Sequence, residues 1–177
     1  MRRKLSRDSV CRRLWKCSLL VMDFDGVMTN NKVQVDQNGI ESVTCSRADG
    51  LGLEMVRKFT DTELLILSRE GNPVTAVRAR KLAVPCISGC GNKADRLREL
   101  IKERGLTFDA VVYMGNDLND LACMHMAGLS IAVADSTPLV LRAGNYVTHA
   151  KGGEGAVREV CDLLLQAKQV DVTNILE

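Results

Sequence analysis

The chain has 177 residues, which is near the usual size of one domain and enough to bury a hydrophobic core. Its formal net charge of +2 is too small for the basic surface that binds nucleic acid, and no apolar run is long enough to cross a bilayer. We therefore expect neither nucleic acid nor a membrane as a partner. The seven cysteines, an odd number without a secretory signal, predict a reducing compartment, nuclear or cytoplasmic.

Residues 1–17 form a basic segment that we predict to be a linker or a lead-in helix, with a localisation signal as the alternative. One domain is expected over residues 18–170, followed by a short tail over 171–177. The bulky apolar side chains of the basic segment are Leu5, Val10, Leu14 and Trp15.

From residue 18 onward, apolar runs typical of buried strands alternate with segments of helical period. In chain order we predict a strand over Ser18–Asp23, a helix over Leu51–Phe59, a strand over Glu63–Leu67, a helix over Pro73–Leu82, a strand over Cys86–Ser88, a helix over Lys93–Arg104, a strand over Ala110–Met114, a helix over Leu118–Ala127, a strand over Ser130–Val133, a short helix from Pro138, a strand over Tyr146–Thr148 and a helix over Ala156–Lys168. This alternation predicts an α/β fold with a parallel sheet, helices on both faces, and functional groups at the carboxyl ends of the strands.

A β-hairpin is predicted between the first strand and the first of these helices. Lys32–Val35 and Ile40–Cys45 flank Asp36-Gln37-Asn38-Gly39, in which Asn-Gly supplies the positive φ angles of a hairpin turn. A two-stranded ribbon is only marginally stable in water, so its apolar residues predict an interface with another chain. Those residues are Val33, Val35, Ile40 and Val43.

The first strand ends in Asp23-Phe24-Asp25-Gly26, two carboxylates separated by one residue. At the mouth of a buried strand, Asp23 is placed to attack phosphorus and form an aspartyl-phosphate. Asp25 is placed to protonate the leaving group and then to activate water. An Asp-Gly turn with helix-capping carboxylates accounts for the same residues when the motif is taken alone.

Polar groups follow three further strands. Ser68 has a hydroxyl that can donate to a phosphoryl oxygen or cap the next helix. Lys93 lies at a helix start, where the macrodipole disfavours a cation, so it fits a role in neutralising Asp23 and a phosphate; an ordinary surface lysine is the alternative. The loop Gly115–Asp120 offers oxygen ligands suited to Mg²⁺, or capping groups. Together the four groups predict magnesium-dependent phosphoryl transfer.

These four segments, in this order, resemble the motifs of phosphatases of the haloacid dehalogenase (HAD) superfamily, over roughly residues 19–165. The hairpin, Arg47–Gly52 and Gly152–Arg158 resemble 3-deoxy-manno-octulosonate 8-phosphate phosphatases and, more narrowly, the C-terminal domain of animal N-acylneuraminate cytidylyltransferases. The resemblance implies a capless, Rossmann-like HAD fold with an inserted hairpin. It also implies a homotetramer that is joined through the hairpins and completes its active sites with neighbouring subunits.

The resemblance implies roles for individual residues. The implied catalytic residues are Asp23, Asp25, Ser68 and Lys93, and the implied Mg²⁺ ligands are Asp23, Asp25 through its backbone carbonyl, Asn116, Asp117 and Asp120. The substrate-binding candidates are Thr29, Arg47, Arg69, Asn92, Asn119 and Arg158, the arginines because guanidinium pairs bidentately with carboxylates. Asn116 stands where the commoner fourth motif has an aspartate, which predicts weaker metal binding because an amide brings no charge.

Two functions of different classes are open at this point. Our main prediction is a module that tetramerises a nuclear cytidylyltransferase and keeps weak phosphatase activity, which Asn116 favours. The transferase activity would lie in an N-terminal domain that nothing in this chain resembles. The alternative is a fully active phosphatase for a small phosphorylated sugar acid, which Asp25 favours. A receiver-like phosphoacceptor is disfavoured by the DxDG motif, and zinc binding by Cys86 and Cys90 is disfavoured because no second ligand pair accompanies them.

Overall fold

The computed structural model describes residues 4–171. Its elements are α1 (Arg7–Trp15), β1 (Leu19–Met22), β2 (Gln34–Val35), β3 (Glu41–Ser42), α2 (Arg47–Phe59), β4 (Glu63–Leu67), α3 (Pro73–Leu82), β5 (Cys86–Ile87), α4 (Lys93–Glu103), β6 (Val111–Gly115), α5 (Leu121–Met126), β7 (Leu129–Ala132), α6 (Pro138–Ala143), β8 (Tyr146–Val147) and α7 (Ala156–Ala167). Short 3₁₀ helices precede β6 and α5, over Phe108–Ala110 and Leu118–Asp120.

Six strands form one parallel sheet in the order β5-β4-β1-β6-β7-β8. The chain leaves β1 toward β4 and β5 and then crosses to β6 on the other side of β1, so the sheet has a switch point beside β1. In open sheets of this kind ligands bind at the carboxyl edge near the switch point. The predicted fold class, a parallel sheet with helices and an inserted hairpin, is confirmed.

Both faces of the sheet are buried, and β1 shows why its residues are apolar without interruption. Leu20 and Met22 point into one hydrophobic cluster, which also contains side chains of α1, α2, α3 and α7. Leu19 and Val21 point into the opposite cluster with side chains of α4, α5 and α6. Because successive side chains of a strand face opposite sides, a central strand between two layers of helices needs an apolar residue at every position.

The inserted hairpin is shorter than predicted, since only Gln34–Val35 and Glu41–Ser42 pair with each other. Its turn is closed by Asp36, whose side chain accepts hydrogen bonds from the backbone N–H groups of Asn38 (2.8 Å) and Ile40 (2.9 Å). Val33, Val35 and Ile40 are 56%, 60% and 65% exposed. The hairpin therefore presents an apolar surface that no described residue covers.

The basic N-terminal segment, predicted as a linker or lead-in helix, contains helix α1, which packs against the rest of the domain. Val10 and Leu14 of α1 are fully buried in the first hydrophobic cluster. The Arg13 guanidinium donates to the carbonyl of Gly128, and Lys4 Nζ donates to the carbonyl of Gly144 at 2.8 Å. The basic side chains thus cap carbonyls of the domain rather than forming a free linker. The predicted tail lies outside the described residues after residue 171.

Two further differences concern helix starts. α2 begins at Arg47 rather than Leu51, because Ser46 Oγ accepts a hydrogen bond from the Ala48 N–H (3.1 Å) and caps the helix one turn earlier. The predicted helix from Leu118 begins as a 3₁₀ turn and becomes α-helical only at Leu121. Among residues 4–171, no helix is both long enough and apolar enough to span a membrane.

Candidate active site

The candidate site is built on the loop that follows β1. The Asp23 N–H donates to the Met114 carbonyl (3.0 Å), so Asp23 continues the sheet by one residue. Its Oδ1 accepts a hydrogen bond from the Phe24 N–H at 2.7 Å. The chain then turns at Gly26, which has φ of 81°, and a Cβ there would lie 1.9 Å from Asn116 Nδ2. Glycine is therefore required at this position for both its backbone conformation and the close approach of Asn116.

Lys93 connects two buried aspartates. Its Nζ lies 2.8 Å from Asp23 Oδ1 and 2.9 Å from Asp120 Oδ1, and all three side chains are almost completely buried. Asn92 caps α4 through its side chain, and so Lys93 is the first residue of that helix. The helix dipole disfavours a cation there, but two carboxylates outweigh it because a buried ion pair is screened little by solvent.

Asp120 lies behind Lys93 rather than in the cavity. Its Oδ1 accepts hydrogen bonds from Lys93 Nζ (2.9 Å) and the Tyr113 hydroxyl (2.8 Å). Its Oδ2 accepts from the N–H groups of Asn116 (2.9 Å) and Asp117 (3.3 Å). A carboxylate offers about four lone-pair directions, and protein donors fill all of them here. The assignment of Asp120 as a direct metal ligand therefore needs correction: in this geometry it orients Lys93 and the loop after β6.

The electrostatics of the site separate its two catalytic candidates. Burial raises the pKa of Asp23 to about 7; the negative charge of Asp120 adds to this shift, and Lys93 opposes it. Burial also raises the pKa of Asp25; the carboxylates of Glu70 and Glu41 add to the shift, and the more distant Lys93 opposes it. Asp25 has no neighbouring ammonium at hydrogen-bond distance among the described residues, whereas Asp23 has Lys93. Asp23 thus has a cation beside it that favours its ionised form, and Asp25 has none at that distance.

An open cavity of about 500 Å³ lies at the carboxyl edge of the sheet. It brings together the predicted residues Asp23, Asp25, Ser68, Arg69, Asn116, Asp117 and Asn119. Lys93 does not line the cavity itself but contacts Asp23, which does. Ser68 is buried, and its Oγ accepts from the Glu70 N–H (3.1 Å), which leaves its hydroxyl hydrogen free to donate to a ligand.

Four of the predicted substrate-binding residues do not line this cavity. Thr29 is buried, and its Oγ1 accepts from the Gly26 N–H (3.1 Å), so it shapes the loop. Asn92 caps α4. Arg47 lines a separate groove between α2 and α3. Arg158 pairs with Asp162 (2.7 Å) on the surface of α7. Within one subunit these four residues have structural or surface positions.

Three lining residues were missed by the sequence analysis: Asn31, Glu70 and Leu118. Asn31 lies two residues after Thr29, and Glu70 lies two residues after Ser68. Their closeness along the chain to predicted site residues is the signal that could have found them. Glu70 Oε1 accepts from the N–H groups of Gly71 (2.8 Å) and Asn72 (3.2 Å), which fixes this side chain at the cavity edge. No sequence signal distinguishes Leu118, which is an exposed apolar side chain at the cavity mouth.

The residues fit a magnesium ion. Asn116 Oδ1 is buried and has no hydrogen-bond partner among residues 4–171, although it lies in the cavity wall with Asp23. A buried oxygen without a donor is costly unless a cation or water satisfies it. The described residues contain no cluster of three or more His, Cys, Asp or Glu side chains suited to a metal. The set that fits is therefore mixed: the Asp23 carboxylate, the Asn116 amide oxygen and water, with Asp117 nearby. The resemblance adds the Asp25 backbone carbonyl.

Comparison with known proteins identifies the family. A model of haloacid dehalogenase-like hydrolases matches residues 57–160, more than half of the chain. The chain belongs to this family. It is 37% identical over 150 residues to the 3-deoxy-D-manno-octulosonate 8-phosphate phosphatase KdsC of Salmonella typhi, a match that covers 85% of this chain and 80% of the relative. The KdsC of Escherichia coli K12 is 36% identical over 151 residues, with the same coverage.

Solved structures agree with this assignment. The 3-deoxy-D-manno-octulosonate 8-phosphate phosphatase of Yersinia pestis superposes with a TM-score of 0.88 at 36% identity, covering 92% of this chain and 88% of that one. The enzyme of Moraxella catarrhalis, solved with magnesium, phosphate and KDO, superposes with a TM-score of 0.90 at 29% identity. That match covers 96% of this chain and 97% of the neighbour. The chain is thus an HAD-type phosphatase-like protein similar to KdsC.

Proposed function

We propose that this chain is a magnesium-dependent phosphatase that cleaves the phosphate ester of a small sugar acid through an aspartyl-phosphate on Asp23. The observation that carries the proposal is the pairing of Asp23 with Lys93 at 2.8 Å, at the edge of a cavity that also holds Asp25 and Ser68. A structural role alone does not explain a buried lysine shared by two aspartates beneath an open cavity, since burying three charges is costly.

In the proposed first step, Asp23 Oδ2 attacks phosphorus. The other oxygen, Oδ1, is held by Lys93 and the Phe24 N–H, and no described residue hydrogen-bonds Oδ2. The bond between phosphorus and the leaving sugar oxygen breaks as the aspartyl-phosphate forms. Asp25 gives its proton to that sugar oxygen, and burial, which raises the pKa of Asp25, favours the protonated form that this step needs.

In the second step, Asp25 removes a proton from water, which attacks phosphorus and releases phosphate and the Asp23 carboxylate. The Ser68 hydroxyl and the Lys93 ammonium stabilise the phosphoryl oxygens in both steps. Asp23, the Asp25 carbonyl and Asn116 would hold magnesium, which when bound would supply further positive charge against these oxygens.

The cavity edge supports a sugar acid as the substrate class. Arg69 is the lining cation and has no ion-pair partner among residues 4–171, so it is available for a carboxylate. Asn31, Glu70 and Asn119 offer side-chain groups that hydroxyls can pair with. The two KdsC relatives are phosphatases of an eight-carbon sugar acid phosphate by name.

The test is phosphate release from a panel of sugar-acid phosphates, with and without Mg²⁺. We expect release by the wild type that depends on Mg²⁺, and loss of at least about a thousandfold in Asp23→Asn, since the amide is no nucleophile. Asp95→Asn, an exposed change on α4, is the matched control and should retain activity. The proposal is wrong if the wild type releases no phosphate, or if Asp23→Asn remains active.

Asn116 favours a second candidate function. In this alternative the chain assembles a nuclear or cytoplasmic cytidylyltransferase and hydrolyses phosphate esters only slowly. Asp23 would then be the main charged ligand of the metal, because Asn116 contributes an uncharged oxygen. Asn116→Asp tests it: a gain in Mg²⁺ affinity of about tenfold to a hundredfold with faster turnover favours the weak-site alternative. A wild type that already turns over at about ten per second argues against it.

We also propose a homotetramer with the hairpin in its interface. Support comes from the exposed Val33, Val35 and Ile40, which form an apolar surface on a ribbon of two short strands. Light scattering of an Ile40→Glu, Val35→Glu double variant should show a smaller particle than the wild type. Leu139→Glu, which changes an exposed apolar residue on α6, is the control. An unchanged particle size in the hairpin variant contradicts the proposal.

A further inference from the structure

Tyr113 is a buried polar residue that the proposed reaction does not use. It lies in the centre of β6, is fully buried and is the largest of the fully buried side chains. The other β6 residues have aliphatic, thioether or no side chains, as expected of a strand covered on both faces. Its hydroxyl donates to Asp120 Oδ1 at 2.8 Å. A phenol in such a strand needs a partner, and here the partner belongs to the active site.

The hydrogen bonds continue from Tyr113 to the nucleophile. Asp120 Oδ1 accepts from both the Tyr113 hydroxyl (2.8 Å) and Lys93 Nζ (2.9 Å). Lys93 Nζ in turn lies 2.8 Å from Asp23 Oδ1. The hydroxyl and the ammonium therefore share one oxygen atom, and a change at the hydroxyl alters how strongly that oxygen attracts Lys93.

How strongly the Lys93 ammonium is attracted to each of its two carboxylates matters for the reaction. If Asp120 attracted Lys93 more strongly, the ammonium would move away from Asp23 and leave the nucleophile less neutralised toward a phosphate dianion. The hydroxyl of Tyr113 opposes this because it satisfies part of the negative charge on Asp120 Oδ1. The two N–H groups on Asp120 Oδ2 hold the carboxylate plane, so the carboxylate does not rotate to compensate.

We propose that Tyr113 is a positioning residue for phosphoryl transfer: by donating to Asp120 it holds Lys93 against Asp23. The proposal rests on the function proposed above. It predicts that removal of one oxygen atom, which reaches Lys93 only through Asp120, slows the chemical step without weakening substrate binding.

The test compares Tyr113→Phe with Tyr146→Phe. Each removes a hydroxyl that donates to a carboxylate, at 2.8 Å to Asp120 and at 2.6 Å to Glu159, and each keeps the ring. In Tyr113→Phe we expect kcat to fall on the order of tenfold, while KM and the half-saturating Mg²⁺ concentration stay within about twofold. In Tyr146→Phe all three quantities should stay within about twofold of wild type. An unchanged kcat in Tyr113→Phe, or an equal fall in both variants, overturns the proposal.

A second measurement does not depend on activity. The Lys93 ammonium, which is buried and hydrogen-bonded, is observable by ¹H–¹⁵N NMR. Its resonance should shift in Tyr113→Phe and stay in place in Tyr146→Phe. If the wild type releases no phosphate, the proposed function fails, and this resonance still decides the positioning role. An unshifted Lys93 resonance in Tyr113→Phe overturns it.

Discussion

The floor and the rim of the active site differ in how their polar atoms are satisfied. The floor (Asp23, Lys93, Tyr113 and Asp120) is buried, and its members are joined by hydrogen bonds of 2.8 to 2.9 Å. The rim (Asn31, Arg69, Glu70, Leu118 and Asn119) is exposed, and Arg69 has no ion-pair partner among residues 4–171. The floor is therefore held in one arrangement by its own hydrogen bonds, whereas the rim leaves polar groups available to a ligand.

The largest expected effect comes from breaking the floor. Lys93→Met should lower the free energy of unfolding by about 3 to 5 kcal/mol, because it leaves the Asp23 and Asp120 carboxylates buried without their shared cation. Phosphate release should be lost as well. Chemical denaturation at pH 8, where both carboxylates are charged in the unfolded chain, measures the change.

Lys102→Met, on the exposed face of the same helix, is the matched control and should change stability by less than about 0.5 kcal/mol. If both variants were equally stable, the ion pairs beneath the cavity would not contribute to folding, and the floor would be no more organised than the rim.

A smaller effect is expected at the rim. Arg69→Gln should raise KM for a sugar-acid phosphate about tenfold to a hundredfold with little change in kcat, since a hydrogen bond to a charged group contributes roughly 1.5 to 3 kcal/mol. A phosphate ester without a carboxylate is the matched control substrate and should show no such change. Equal losses with the two substrates would show that Arg69 acts on the phosphate and belongs functionally to the floor.

The sequence predicts the floor better than the rim for a physical reason. Asp23 and the loop from Gly115 follow uninterrupted apolar strands, so their meeting at one sheet edge follows from strand direction alone. The orientation of the Asp120 side chain cannot be predicted in this way, because both of its oxygens are satisfied by donors that only the folded chain brings together. Likewise the sequence gives no sign that Arg47 faces a groove on α2 and α3 rather than the cavity.

The N-terminal segment shows a second limit of the sequence. Val10 and Leu14 are spaced four apart, as on one helix face. The many basic residues around them nevertheless made the segment look like a solvent-exposed linker. Both are fully buried against α7 and the sheet in the structure. Burial of two side chains suffices to attach a short helix whose cations also find carbonyl partners, because each fully buried apolar side chain contributes roughly 1.5 to 3 kcal/mol.

Asp49 provides the last test, because it is buried like the floor residues but has fewer hydrogen-bond partners than they have. Its Oδ1 accepts from the Arg158 N–H at 2.8 Å, while Oδ2 is buried without a partner among the described residues. Burial raises its pKa from 3.8 to about 6. A raised folded-state pKa means that folding favours the protonated acid, so the associated stability is present below pH 3.8 and is lost as the pH rises through about 6.

Asp49→Asn removes this dependence and keeps an oxygen for the Arg158 N–H. Relative to Asp49→Asn, the wild type should lose on the order of 2 kcal/mol between about pH 4 and pH 6, with no further loss from this group above about pH 7. Urea unfolding of both proteins across this range measures the difference, and the exposed Asp109→Asn, in the 3₁₀ helix before β6, controls for the loss of one carboxylate. A difference that stays flat with pH would mean that water satisfies Oδ2. Asp49 and Asp120 would then not differ in how fully their oxygens are hydrogen-bonded, although protein donors supply all four hydrogen bonds of Asp120.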